Sequence, residues 1–221
     1  MIKINNVPCV NIKDIDNEME FILLHKLIDN EVYRNHYLNS GDTDKYFILD
    51  NSAFELKEGI SDSLLMEWAV KVVANEIIIP DVYGDKEKTL KLMNDFFEKH
   101  PSAPDIYTIQ AVPQGKNEKE LIECFEIMER DDRISVIGVN KLWNRKKLKD
   151  SIEGCTKKIH LLGLNNIDEW NYDYGELDIR SGDSRRLSQL ILGKEDIWED
   201  ILTSIDLEIL KRLIKEINND K

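Results

Sequence analysis

The stretch "YFILDNSAFE", Tyr46 to Glu55, sets an apolar run directly against a carboxylate and small polar residues. Tyr46 to Leu49 suit a buried strand, and the break at Asp50 marks where that strand leaves its sheet. The same event recurs along the chain. Asp81 follows "EIIIP", Gln114 and Gly115 follow "IYTIQAVP", Gly138, Val139 and Asn140 close "ISVIGVN", and Gly163 closes "IHLLGL". Near a weaker last strand, "LDIRSGDS" brings Asp178, Arg180, Asp183 and Ser184.

Strands are expected at Ile2-Ile4, Tyr46-Leu49, Glu76-Ile79, Ile106-Val112, Ile134-Val139, Lys158-Leu162 and Glu176-Ile179. Amphipathic stretches lie between them. Leu64, Leu65, Trp68, Ala69, Val72 and Val73 share one helical face, as do Leu90, Met93, Phe96 and Phe97. Asp62 and Asp85 stand where N-caps belong. From Tyr46 to Lys158 the strands return about every 25 to 30 residues, the length of a βα unit, so a parallel sheet covered by helices is expected. An open doubly wound sheet and a closed barrel both fit that rhythm. No Gly-rich dinucleotide fingerprint follows any strand, which weakens the open-sheet option. After Arg186 the pattern is helical to "LEILKRLIKEINNDK", and no low-complexity linker divides the 221 residues into domains. The expected architecture is one α/β domain over residues 1-221, a minimal or incomplete (β/α)8 TIM-type barrel with a helical tail from about residue 184.

The composition, 42% hydrophobic and 33% charged, is that of a water-soluble globular chain, and no apolar run approaches the roughly 20 residues that span a bilayer. The start, "MIKINNVPCVNIKD", lacks the features of a signal peptide, so a cytoplasmic location and no membrane partner are expected. Cys9, Cys124 and Cys155 are scattered, with neither a disulfide framework nor metal-type spacing. The net charge of -13 excludes a protein held to nucleic acid by a global basic field. Two compact basic stretches remain, "NRKKLK" with Arg145, Lys146 and Lys147, and "RSGDSRR" with Arg180, Arg185 and Arg186.

Polar groups at strand C-termini gather at one edge of a parallel sheet, the edge where sites are built. One such Asp or Gly has an ordinary explanation as a helix cap or tight turn. Three carboxylates, a glutamine and several glycines at one rim make a polar pocket suited to a nucleobase, because Asp accepts N–H donors, Gln does both, and Gly bares the main chain. The cysteines lack a paired histidine, and His160, in a strand, reads as a core histidine before a catalytic one. Carboxylates remain, and two of them can divide glycosyl chemistry between nucleophile and proton carrier.

These residues resemble the tRNA-guanine transglycosylase superfamily, barrel enzymes that exchange guanine in a nucleic acid for a 7-deazaguanine. Its Asp-Ser-Gly-Gly-Phe-Gln motif is similar to Asp50-Asn51-Ser52-Ala53-Phe54-Glu55, with Ser52 and Ala53 in place of glycines and Glu55 in place of Gln. Asp81 in "IIIPDVYGD" resembles the base-reading aspartate, and Val112-Pro113-Gln114-Gly115 resembles the Val-Gln-Gly turn. "VIGVN" with Gly138 resembles a later base-contacting strand end, and "HLLGL" with Gly163 the segment before the nucleophile. Asp183-Ser184-Arg185 is similar to the Asp-Ser-Ala that carries the nucleophile. The likeness spans roughly Tyr46 to Leu190. The Cys and His zinc site of the tRNA-acting members is absent, and the chain resembles instead the short phage-associated enzymes that place 7-deazaguanines in DNA.

The resemblance implies replacement of guanine in DNA by a base such as 7-cyano-7-deazaguanine, with no cofactor and no metal. Asp183 is the expected nucleophile at C1′, with Asp178 as the alternative. Asp50 is the expected general acid/base. Asp81, Gln114, Gly115, Gly138, Ser52 and Gly163 would hold the base, and Arg180, Arg185, Arg186, Arg145, Lys146 and Lys147 would meet phosphate. The target base must be flipped or single-stranded. A homodimer or an accessory protein is a further candidate partner. The alternatives are action on tRNA, a non-catalytic deazaguanine-binding subunit, and a nucleoside hydrolase using the same carboxylates.

Overall fold

The structure, a computed structural model, describes residues 3–6, 19–39, 45–164, 169 and 172–184, and for 3–6 and 184 the backbone alone. Eight strands form one all-parallel sheet: β1 (Lys3–Asn6), β2 (Met19–Leu23), β3 (Tyr46–Asp50), β4 (Glu76–Ile78), β5 (Thr108–Ala111), β6 (Val136–Val139), β7 (Lys158–Leu161) and β8 (Ile179–Ser184). Their order is β1-β8-β7-β6-β5-β4-β3-β2, and the two end strands β1 and β2 lie against each other, so the sheet is nearly closed and barrel-like. Contacts across its inside require that curl. Phe21 of β2 stacks on His160 of β7 with centroids 5.6 Å apart, and Arg180 of β8 reaches Glu76 of β4.

The side chains alternate as strand geometry demands. One set, including Ile22, Leu49, Ile77, Ile109, Ile137, Ile159 and Leu161, faces the helices in the main core. The other fills the inside: Met19, Phe21, Leu23, Ile48, Ile78 and Val112 form a second apolar cluster there. The helices that cover the sheet are α1 (Leu24–Asp29), α2 (Glu31–Leu38), α3 (Ala53–Leu56), α4 (Asp62–Lys71), α5 (Lys86–Lys99), α6 (Ala103–Ile106), α7 (Glu118–Glu129) and α8 (Leu148–Ser151), with a 3-10 turn at Arg145–Lys147. In α5, Met93, Phe96 and Phe97 are buried while Lys91 and Asp95 pair on the solvent side. Each of those three side chains is worth roughly 1.5–3 kcal/mol of burial, far more than the exposed ion pair.

Several expectations need correction. The last strand, expected at Glu176-Ile179, runs instead over Ile179–Ser184. β2 is missing from the seven expected strands, and it runs without a break into α1. Ile106 ends α6 and is 66% exposed, so the fifth strand begins later, at Thr108. Ser61, not Asp62, is the N-cap of α4; Asp62 lies in the first turn and pairs with Lys99 at 3.0 Å. Asp85 does cap α5, accepting from the Lys88 N–H at 3.1 Å. Ser184 is still in β8, paired with Asn6, so no helix begins there; the expected helical tail otherwise lies outside the described residues. Among the described residues no helix is long and apolar enough to cross a membrane.

Candidate functional site at the C-terminal rim

Because every strand is parallel, the last residues of β3 to β8 open on one rim. β3 delivers Asp50 there, and the chain then turns through Ser52 at φ 64°, a left-handed conformation that L-residues adopt at a cost of roughly 1–2 kcal/mol. The resembled motif has glycine at this position. The strained turn brings the Ser52 N–H back to Asp50 Oδ2 at 2.9 Å. The Ser52 hydroxyl is fully buried and engaged by His25, which donates its main-chain N–H at 3.1 Å and lies at 2.8 Å through Nδ1. Ser52 therefore supports the site from beneath and offers its side chain to no base.

Asn51 locks this turn to the next one. Its Nδ2 donates to the Ile79 carbonyl at 2.6 Å and to Asp81 Oδ1 at 2.7 Å, while its Oδ1 accepts the Ala53 N–H at 2.7 Å. Gln114 donates through Nε2 to the other Asp81 oxygen and accepts the Gly84 N–H at 3.0 Å. Asp81, Asn51 and Gln114 are thus one buried polar network, each carboxylate oxygen held by one amide. Burial drives the Asp81 carboxyl up to about 6 even though the Asn51 and Gln114 hydrogen bonds pull it down. Asp50 is raised well above the usual carboxylate range, first by loss of solvent, then by the negative charges of Glu55, Asp81 and Asp183. A carboxyl so placed holds its proton to higher pH than an ordinary carboxyl does, which suits proton transfer.

Asp183 is held differently. Its Oδ1 accepts the Gly163 N–H at 2.9 Å and lies 3.1 Å from His160 Nε2. A carboxylate has no proton to give, so Nε2 carries the hydrogen and donates. The other ring nitrogen meets the Ser181 hydroxyl at 2.7 Å, and the fully buried ring lies against Phe21. His160 is therefore both a core histidine and the residue that orients Asp183. No described residue hydrogen-bonds Oδ2 of Asp183, so among the described residues one oxygen is fixed and the other carries no hydrogen bond. Gly163 stands at φ 61°, and a side chain there would strike Lys141 Cε at 2.9 Å. Gly138 faces inward, where a Cβ would meet Gln110 Nε2 at 2.7 Å and Leu162 Cδ1 at 2.8 Å. Gly115 packs on the start of α7.

Asp178 is exposed and precedes β8, with its carbonyl accepting the Ile159 N–H, at the end of the sheet opposite the rim. It does not meet Asp50. The basic candidates also divide. Arg180 is no rim residue: β8 carries one extra residue opposite β7, where Ile159 pairs with Ile179 and His160 with Ser181. This bulge turns Arg180 inward at the lower end, where it grips buried Glu76 with two bonds of 2.7 and 2.9 Å, and the Tyr46 hydroxyl joins at 2.9 Å. Arg145 is also consumed, buried in a pair with Glu169 and donating to the carbonyls of Val139 and Leu162. Lys146 and Lys147 are exposed, and Arg185 and Arg186 lie outside the described residues. Among the described residues no three His, Cys, Asp or Glu side chains are grouped to hold a metal. No protein-family model matches the chain, and no curated protein is significantly similar to it.

Proposed function

We propose that the protein is a base-exchange transglycosylase on a (β/α)8 barrel, replacing guanine in DNA with a 7-deazaguanine. One observation carries the reading: the rim pairs a carboxyl that favours its proton, Asp50, with a carboxylate anchored through one oxygen, Asp183. Oδ2 of Asp183 attacks C1′ of the target deoxyguanosine, forming the ester bond as the C1′–N9 bond breaks. Asp50 gives its proton to the departing guanine. The incoming deazaguanine returns a proton from N9 to Asp50, and N9 attacks C1′, releasing Asp183 as carboxylate. Asp81 keeps acceptor lone pairs and Gln114 one amide hydrogen for the edge of a purine, with Asn51 holding the Asp81 carboxylate in place. The left-handed turn at Ser52, where the resembled motif places glycine, supports the likeness independently of side-chain identity.

The test is incubation with guanine-containing DNA and 7-cyano-7-deazaguanine, digestion to nucleosides and mass spectrometry. Incorporation is expected with wild type and is lost in Asp183→Ala. Incorporation that survives Asp183→Ala removes the nucleophile assignment; incorporation into tRNA but not DNA reverses the acceptor. Free guanine released from deoxyguanosine without incorporation marks a nucleoside hydrolase instead.

A further inference from the structure

The rim that would receive DNA is acidic, and two of the four arginines expected to meet phosphate, Arg145 and Arg180, are held in buried pairs. Other cations stand beside it. Phe54, in α3 next to Asp50, is 47% exposed, and Tyr83 meets its ring edge-on at 5.8 Å. Lys57 places its ammonium 5.0 Å from the Phe54 centroid and 4.9 Å from that of Tyr83. Lys141, from the loop after β6, lies 4.9 Å from the same Phe54 ring. Its stem packs beside Gly163, whose N–H holds Asp183, so this lysine lies next to the site. Lys141 also lines one side of a cleft of about 200 Å³, and Lys146 and Tyr172 line it too, the Lys146 ammonium 5.4 Å from the Tyr172 ring.

These contacts join into one band: Tyr83, Lys57, Phe54, Lys141, the cleft, then Lys146 and Tyr172. We infer that this band is the track of a single-stranded polynucleotide, with phosphates on Lys57, Lys141 and Lys146 and bases against Phe54 and Tyr172. Alternating aromatic faces and ammonium groups serve a flexible strand, since every base has a face to stack and each phosphate a charge to neutralise. A duplex presents its bases edge-on and cannot use the rings. The track passes Asp183 at Lys141, which puts one nucleotide of the strand at the rim without a flipping step. The inference rests on the proposed exchange for its substrate, but its contacts can be tested apart from chemistry.

Binding of a fluorescein-labelled single-stranded oligodeoxynucleotide, followed by anisotropy across a salt series, tests it. Lys141→Ala and Lys146→Ala should each lower the slope of log K against log salt by about 0.7, while Lys91→Ala, a lysine on the solvent side of α5 paired with Asp95, leaves it unchanged. Phe54→Ala and Tyr172→Ala should weaken binding by roughly 5- to 150-fold, the range for a lost base stack. Wild type that binds no strand, equal slopes in the Lys141, Lys146 and Lys91 variants, or preference for duplex overturns the track. If the lysine-dependent slope appears but no base is exchanged, the track stands and the transglycosylase reading falls. Exchange with unaltered slopes gives the reverse.

Discussion

Replacing Arg180 by methionine separates a buried brace from a nucleic-acid contact. Met fills the length of the arginine stem but leaves Glu76, which is fully buried, with only the Tyr46 hydroxyl as described partner. An ionised carboxylate stripped of its counter-charge in the protein interior escapes by taking up a proton. Holding a glutamic acid neutral at pH 7, from an ordinary titration point near 4.3, costs about 3.7 kcal/mol, which falls to about 1 kcal/mol at pH 5. That matches the roughly 3–5 kcal/mol for removing one partner of a buried pair. Urea unfolding followed by circular dichroism should therefore find Arg180→Met less stable than wild type by about 4 kcal/mol at pH 7 and about 1 kcal/mol at pH 5. Adding Glu76→Gln removes the orphaned charge, and the double variant should return to within about 1 kcal/mol of wild type. An Arg180→Met protein with wild-type stability at both pH values and weakened DNA binding would falsify the inward placement of this residue.

Three further outcomes are expected. Between pH 3.8 and about 6 the folded state keeps a proton on Asp81 that the unfolded chain has lost, so this group lowers stability as pH rises through that window. The stability of Asp81→Asn relative to wild type should then grow by about 2.4 kcal/mol between pH 4 and pH 7 in urea titrations, whatever constant offset the substitution brings; a flat difference refutes the assignment. Ser52→Gly relieves the left-handed turn while losing the hydroxyl contact to His25, so its thermal midpoint should shift little, whereas Ser52→Val should lose at least about 2 kcal/mol because a β-branched residue resists positive φ. His160→Phe keeps a ring against Phe21 and removes one charge-assisted bond to Asp183, so base exchange should slow by roughly 10- to 150-fold with the KM for DNA unchanged. Undiminished exchange would mean that Gly163 alone orients the carboxylate.

The rim was legible in the sequence because a parallel strand that ends in a polar residue has only one edge to deliver it to. Asp50, Asp81, Gln114, Gly138 and Gly163 all stand at or beside that edge, as their positions after apolar runs suggested. Asp183 also reaches it, in a phase set by the bulge at Arg180 that periodicity could not supply, whereas Asp178 precedes β8 at the other end of the sheet. The same bulge hid Arg180, whose neighbours Ser181, Gly182 and Asp183 look like a surface loop. β2 was not legible because Phe21, Ile22, Leu23 and Leu24 are buried in an unbroken run, and no turn residue separates strand from helix. Missing that strand also hid His25, which follows it by two residues just as Ser52 follows Asp50, and Leu23 pairs with Asp50 in register. Lys57 and Lys141 are single lysines in mixed sequence, and only folding brings both to Phe54.

The two ends of the sheet put charged side chains to opposite uses, and the difference lies in how completely they are paired. At the lower end Glu76 meets Arg180 through both carboxylate oxygens and Tyr46 through one, a closed set with nothing left to offer a ligand. Such a cluster fixes the register of β4 against β8 across the interior. At the rim no cation pairs with Asp50 or Asp183 among the described residues; main-chain N–H groups, one imidazole and two amides hold the carboxylates instead. Neutral donors orient a carboxylate without cancelling its charge, so Asp50 retains a high proton affinity and Asp183 retains an oxygen without a hydrogen bond among the described residues, as the proposed exchange requires. A cation placed here by substitution, such as Ser181→Lys beside His160, should lower the proton affinity of Asp50 and neutralise Asp183. The base exchange should then fail even where folding survives, because the site depends on negative charge that is oriented and left unneutralised.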